Sequence, residues 1–376
     1  MAKRATSQPP VLPGYSFIRP LGNGGFADVF LYEQDMPRRV VAVKVLLDDA
    51  INPEVLRTFN AEADIMARLS AHPAIVTIYQ ASIAADGRPY LVMEFCPDTL
   101  GARYRKGPLE VPAVLDAGVR IAAALETAHR SGLLHRDIKP SNLLVTTMGS
   151  PVLADFGIAA SVNRRGDEPE VFAMSVPWSS PEVLQEQVSG SVPSEVWSLG
   201  ATLYTLLAGR SPFEVAERDR NRREQLTQRV VKARYQRIER ADVPERLEAV
   251  LAQAMAKDPS QRFATMVEFA EALRWAQYEL GIPPTPLEVA SDHWAGASAP
   301  IDFSDDRQRG PVITTVNEHS RRAARVQQQI DERSARVAPS PRRSGSGAWK
   351  PALLGAGIAT VVLGTAAIGL LASGVL

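Results

Sequence analysis

LLHRDIKPSNLLVTTMGSPVLADFG, residues 133–157, decides how the rest of the chain is read. Asp137 lies inside HRDIKPSN, and Asp155 opens DFG after the short apolar run Pro151–Ala154. Asn142 follows Asp137 by five positions, on a turn that leads into Leu143–Val145. A carboxylate and an amide on one loop, with a second carboxylate one hairpin later, set a candidate base beside two candidate metal-binding oxygens. Transfer of a phosphoryl group asks mainly for that kind of positioning and charge neutralisation.

Upstream of this stretch the pattern is strand-like. YSFIRPL (15–21), ADVFLYE (27–33), RRVVAVKVLL (38–47), IVTIYQAS (75–82) and RPYLVMEF (88–95) have the β-branched, alternating character of strands. Asn52 followed by Pro53 suits the start of a helix running to about Leu69. Five strands and one helix make a small lobe, residues 14–96, behind a leader expected to be disordered over residues 1–13.

Downstream, and just before the stretch, the period is helical. Residues 111–132 read as a long helix ended by Gly132, and Ser194–Leu207 is apolar on nearly every face, the mark of a buried central helix ended by Gly209. Residues 244–259 and 265–280 are amphipathic at helical period. These segments make a mainly helical second lobe, residues 97–278. From 279 to 350 the chain is rich in Pro, Ser and Arg and is expected as a linker. Residues 351–376 carry no charge, enough for a bilayer span of about 20 residues. Arg342, Arg343 and Lys350 on its N-terminal side would keep the preceding domain in the cytoplasm.

Composition narrows the chemistry. The 376 residues are 45% hydrophobic, ample for a sizeable core. Lys+Arg and Asp+Glu are 42 each, so no global basic field points to nucleic acid. Cys96 is the sole cysteine, which excludes disulfide staples and cysteine-based metal sites. No N-terminal signal peptide is visible.

HRDIKPSN followed by DFG resembles the catalytic-loop and metal-binding signatures of protein kinases. With HPAIV (72–76), DFGIA (155–159) and SLGATLYTLLAGRSPF (198–213), residues 15–278 resemble a eukaryotic-like bacterial serine/threonine protein kinase of the membrane-anchored actinobacterial type. The resemblance implies an α+β, bilobal kinase fold followed by a transmembrane helix. It also implies ATP and Mg²⁺ as cofactors, with Mn²⁺ as an alternative ion. Asp137 would accept or orient the substrate hydroxyl proton, Lys139 would neutralise charge on the γ-phosphoryl group, and Asn142 and Asp155 would hold the metal. Lys44, in the apolar strand VAVKV, would contact the α/β-phosphates and pair with a helix glutamate, Glu62 or, second, Glu54. LGNGGFADV (21–29) would cover the phosphates with Leu21, Gly22, Asn23, Gly24 and Gly25; Ala27 replaces the third glycine of the usual pattern. Val29, Ala42, Met93 and Leu144 would line the adenine pocket, with hinge backbone from Glu94 to Cys96. Arg136 beside the base suggests control by a phosphorylated activation segment.

That segment, Asp155 to Glu182, ends in SPE where the family has APE, and Glu182 would pair with Arg262. Ser175 would hydrogen-bond the catalytic aspartate. No threonine lies in the segment, so a phosphoacceptor would be Ser161, Ser175, Ser179 or Ser180, with Ser161 alone outside the docking end. Glu195 stands where the family has an aspartate that accepts hydrogen bonds from the catalytic-loop backbone. Two rival readings stay open: an inactive pseudokinase serving as a membrane scaffold, and a small-molecule kinase sharing the fold. The partners implied are ATP, proteins with Ser or Thr acceptors and a lipid bilayer, with no nucleic acid and a homodimer left open. No extracellular sensor is expected beyond the span, so the signal is expected from a cytoplasmic or membrane partner, or through the linker.

Overall fold

A computed structural model describes residues 4–24, 27–47, 59, 63–64, 66–156 and 175–290. All of them belong to one compact unit, residues 1–300. The first lobe is a five-stranded antiparallel sheet in the order β1-β2-β3-β5-β4. Its strands are β1 (Tyr15–Asn23), β2 (Ala27–Gln34), β3 (Arg39–Leu46), β4 (Ile78–Ile83) and β5 (Pro89–Glu94). The period-two alternation divides its faces. Phe30, Tyr32, Val41, Val43, Val45, Tyr90 and Val92 pack together on one face, while Ala42 and Met93 join a separate cluster on the other. The described part of the lobe's helix, Phe59, Ala63–Asp64 and Met66–Leu69, sets Phe59 and Ala63 against Leu46 and Leu91.

The second lobe begins with a three-stranded sheet of β6 (Asp98–Thr99), β7 (Leu143–Val145) and β8 (Pro151–Leu153). Seven α-helices are described in it: α1 (Leu100–Tyr104), α2 (Val111–Arg130), α3 (Pro181–Leu184), α4 (Val192–Ala208), α5 (Arg223–Lys232), α6 (Glu245–Ala254) and α7 (Met266–Glu279). α4 starts at a capping box between Ser191 and Ser194 and stops where Gly209 takes φ +72°, a left-handed conformation that glycine adopts without steric cost. Trp197, Leu199, Ala201, Leu203, Tyr204, Leu206 and Leu207 of α4 are all buried, so the helix is the pillar of this lobe. Gly118 lets α2 close on its neighbours, because a Cβ there would lie 2.8 Å from Leu273 and 2.9 Å from Leu203.

Two expectations at the domain edges are corrected. Residues 4–13 are not a disordered leader. Leu12 is 3% exposed within the apolar cluster on the outer sheet face, and the Tyr32 hydroxyl donates to the Pro10 carbonyl at 2.6 Å. The linker does not begin at residue 279 either. Thr285 donates to Asp116 on α2 at 2.9 Å, Leu287 packs against the second-lobe core, and the Ala290 N–H donates to Thr127 at 3.2 Å. A buried leucine at one edge and a half-buried one at the other, each with satisfied polar groups beside it, hold segments that lack any periodicity of their own. Among the described residues no helix is long and apolar enough to cross a membrane. The expected span at 351–376, with most of the linker, lies outside them.

Candidate active site

The catalytic-loop segment is held by its backbone before any side chain acts. Arg136 has φ +65° and Asp155 φ +60°, left-handed values that cost a non-glycine residue energy unless its surroundings impose them. At Arg136 the imposing group is Glu195, on the first turn of α4, whose Oε1 accepts the Arg136 N–H at 2.6 Å. Its Oε2 accepts from His129 Nε2, also at 2.6 Å, and both side chains are nearly buried. The extra methylene of Glu195 is therefore used to reach α2 as well as the loop. His129 was not singled out from the sequence, since its partner lies 66 positions away and no spacing rule links them.

His135 stands behind Asp155. It is fully buried, its Nδ1 accepts the Asp137 N–H at 3.3 Å, and its Nε2 then carries the hydrogen to the Ala154 carbonyl at 2.9 Å. Burial pushes its pKa below the ordinary histidine value, consistent with a neutral ring. Phe156 tilts against it with ring centres 4.7 Å apart.

Asp137 and its neighbours form one network. Its Oδ2 accepts from Lys139 Nζ at 2.5 Å, and its Oδ1 accepts from Ser175 Oγ at 2.9 Å. Lys139 also reaches Ser175 Oγ, at 3.1 Å, so one cation and one hydroxyl converge on the carboxylate. Asn142 donates its Nδ2 to the Asp137 carbonyl at 2.8 Å. Asn142 Oδ1 keeps a single long contact among the described residues, from Ser141 Oγ at 3.4 Å.

Lys44 Nζ lies 2.6 Å from Asp155 Oδ1. That cation, ahead of burial and hydrogen bonding, holds the Asp155 pKa below the usual carboxylate range. The glutamate expected for Lys44, Glu62, and its alternative Glu54 lie outside the described residues, as do Gly25 and Ser161. Asn142 Oδ1 and the Asp155 carboxylate are hard oxygen donors, which suits Mg²⁺; that ion commonly takes one or two protein oxygens and leaves the remainder to water and substrate phosphates. No group of three or more His, Cys, Asp or Glu gathers to bind a metal among the described residues.

The residues expected around the adenine pack as one apolar cluster. Ala42, Met93, Leu21, Val29, Cys96 and Leu144 belong to one cluster, together with Val76, Ile78, Val152 and Ala154. The first six were expected; the last four were not, because they come from the turn before β4, from β4 itself and from the β8 run, which carry no binding signature of their own. β-sheet register brings part of the cluster together: Ala42 pairs with Met93, and Val29 with Lys44. The hinge is anchored where the Glu94 N–H donates to Thr77 at 2.9 Å. Burial, with Glu94 adding to it, pushes the Cys96 thiol up to about 12, so it is an inert apolar surface rather than a nucleophile.

The far end of the activation segment is pinned to the second lobe. Arg262 grips Glu182 bidentately, at 2.7 and 2.9 Å, and donates to the Pro193 and Ala256 carbonyls. Trp178 Nε1 donates to Thr205 on α4 at 3.0 Å, and the Trp178 N–H to the Ser175 carbonyl at 2.9 Å, so Ser175 is presented to Asp137 by a fixed turn.

Comparison with known proteins agrees with this layout. Residues 15–274 match the protein kinase domain profile. The chain is 35% identical over 309 residues to the serine/threonine-protein kinase PknK of Mycobacterium tuberculosis, covering 82% of this chain and 27% of that protein. It is 32% identical over 268 residues to PrkC of Bacillus subtilis, covering 70% and 40%, and 31% identical over 291 residues to PknB of Mycobacterium tuberculosis, covering 72% and 44%. The chain thus spans less than half the length of each of these serine/threonine-protein kinases.

Proposed function

The chain belongs to the protein kinase family, and we propose that it transfers the γ-phosphoryl group of ATP to serine or threonine hydroxyls of proteins, itself among them. The observation that carries this reading is the convergence of Lys139 and Ser175 on the two oxygens of Asp137. Asp137 is the carboxylate that orients the acceptor hydroxyl and takes its proton as the bond to phosphorus forms. Lys139, already beside it, neutralises charge that gathers on the transferring group. Lys44 supplies a second cation on the phosphate side, and Leu21, Val29, Ala42, Met93 and Leu144 enclose the adenine. Asn142 and Asp155 would hold Mg²⁺, which supplies charge neutralisation on the phosphates when bound. Lys139 and Ser175, with the Arg262–Glu182 clamp behind them, favour a protein acceptor over a small molecule.

Membrane attachment is part of the same proposal. Residues 351–376 are uncharged, Arg342, Arg343 and Lys350 precede them, and a span of about 20 apolar residues suffices to cross a bilayer. The kinase domain would then work at the cytoplasmic face. The test is incubation of the full chain with γ-labelled ATP and Mg²⁺, followed by phosphoamino-acid analysis. Label on serine or threonine is expected. Label confined to a small acceptor would overturn the reading, and ATP binding without any label would favour the scaffold.

A further inference from the structure

Asp28, at the start of β2, is fully buried although nothing in phosphoryl transfer uses it. It pairs across the glycine-rich hairpin with Asn23 at the end of β1. Both residues are tied to one stretch of the N-terminal segment. The Asp28 carboxylate accepts from the Arg4 guanidinium through Oδ1 and from the Ser7 N–H through Oδ2 at 2.7 Å. Asn23 Nδ2 donates to the Arg4 carbonyl at 2.5 Å. The segment is fixed further along as well. Arg88, on the turn before β5, donates to Ser7 Oγ at 3.2 Å and to the Gln8 carbonyl at 2.8 Å. Pro10 and Leu12 then lock onto Tyr32 and the outer apolar face.

Burial alone would raise the Asp28 pKa, yet the hydrogen bonds from Ser7 and Arg4 leave it below the ordinary aspartate value. The carboxylate is therefore charged at neutral pH and needs its cation. A segment that merely covered apolar surface would not place its arginine on a hairpin stem.

We propose that residues 4–12 are a strap that holds the glycine-rich hairpin in its nucleotide-binding position, with Arg4 and Asp28 as the positioning pair. The proposal rests on the reading of this site as an ATP site. Gly22 and Gly24 give the hairpin freedom that nucleotide binding must remove, and a hairpin tied down beforehand loses less on binding. The Arg4 side chain is 42% exposed, so its removal admits water to Asp28 and spares the core. What is lost is the ionic tie of the strap, while the Ser7 N–H and the Arg4 carbonyl keep their bonds to Asp28 and Asn23.

The test uses the full chain with Arg4→Ala, Arg4→Lys and Asp28→Asn, measuring ATP dissociation by titration alongside steady-state kinetics. Arg4→Ala should raise the Kd and KM for ATP roughly three- to tenfold, as the binding-ready hairpin becomes a minor conformer. The value of kcat at saturating ATP and the KM for the protein acceptor should stay within about twofold. Arg4→Lys should recover most of the loss, and Asp28→Asn should follow Arg4→Ala. An Arg4→Ala chain that binds ATP as tightly as the parent overturns the strap, whether or not Asp28→Asn folds. A parent chain that binds ATP but transfers nothing overturns the kinase reading and leaves the strap to be judged by Kd. A parent that binds no ATP overturns both.

Discussion

Glu195 carries one methylene more than the aspartate the family resemblance expects, and its two oxygens show what that length does. One holds the left-handed Arg136 N–H beside Asp137, and the other holds His129 on α2. Shortening it can keep one contact but not both. Glu195→Asp should therefore destabilise the chain by about 1–3 kcal/mol and lower kcat, as read by thermal melting and acceptor labelling. A variant more stable and faster than the parent would mean that the methylene is a burden. The Glu182–Arg262 pair makes a second prediction. Burial raises the Glu182 pKa, but the Arg262 hydrogen bonds outweigh it and leave the value lowered. A carboxylate lowered on folding contributes stability above its unfolded value of about 4.3, and that contribution fades as pH falls through the folded value. Arg262→Gln, which strands a buried carboxylate, should cost about 3–5 kcal/mol at pH 7. The gap from the parent should narrow below about pH 4, which urea unfolding at the two pH values would reveal.

Among the elements, α1 sits against the catalytic loop so closely that Gly101 admits no side chain. A Cβ there would lie 2.8 Å from Ser141 Cα and 2.9 Å from Ser141 N, backbone atoms that cannot rotate away. Gly101→Ala should cost about 1–3 kcal/mol by overpacking, and, because Asn142 follows Ser141, kcat should fall as the amide proposed to hold the metal shifts. Unchanged kcat with lowered stability would show that the loop absorbs the strain elsewhere. The elements themselves were legible because their periods are. Alternation in VAVKV separates Ala42 and Lys44 from Val41, Val43 and Val45, and the mostly apolar stretch of 194–207 marks α4 as buried on nearly every face. The catalytic loop was legible because its groups lie within six residues of one another. A few members of the site were not. Val76, Ile78, Val152 and Ala154 join the adenine-side cluster only through tertiary packing, and His129 meets Glu195 through a contact between two helices.

For the whole molecule, the sequence hid both edges of the domain. Residues 4–13 and 281–290 lack hydrophobic period and are rich in proline, so they read as coil, while their anchors lie far along the chain. His72 Nε2 contacts the Glu288 carbonyl at 2.6 Å across 216 positions. Gln277, Thr285 and Asp116 form a chain of hydrogen bonds at 2.8–2.9 Å that joins α7, the returning segment and α2. Ending the chain at Leu280 rather than Ala290 should therefore lower Tm by about 4–10 °C, the shift that corresponds to two or three kcal/mol in a domain of this size. Equal melting temperatures would mean that the segment lies on the lobe without supporting it. The central claim, that Asp137 is the carboxylate through which the chain moves phosphate from ATP to a hydroxyl, is tested most directly by the rate of labelling in Asp137→Asn beside its ATP affinity. The account predicts a loss of about 10²- to 10⁴-fold in labelling with ATP affinity retained. Labelling by Asp137→Asn at the parent rate would contradict it.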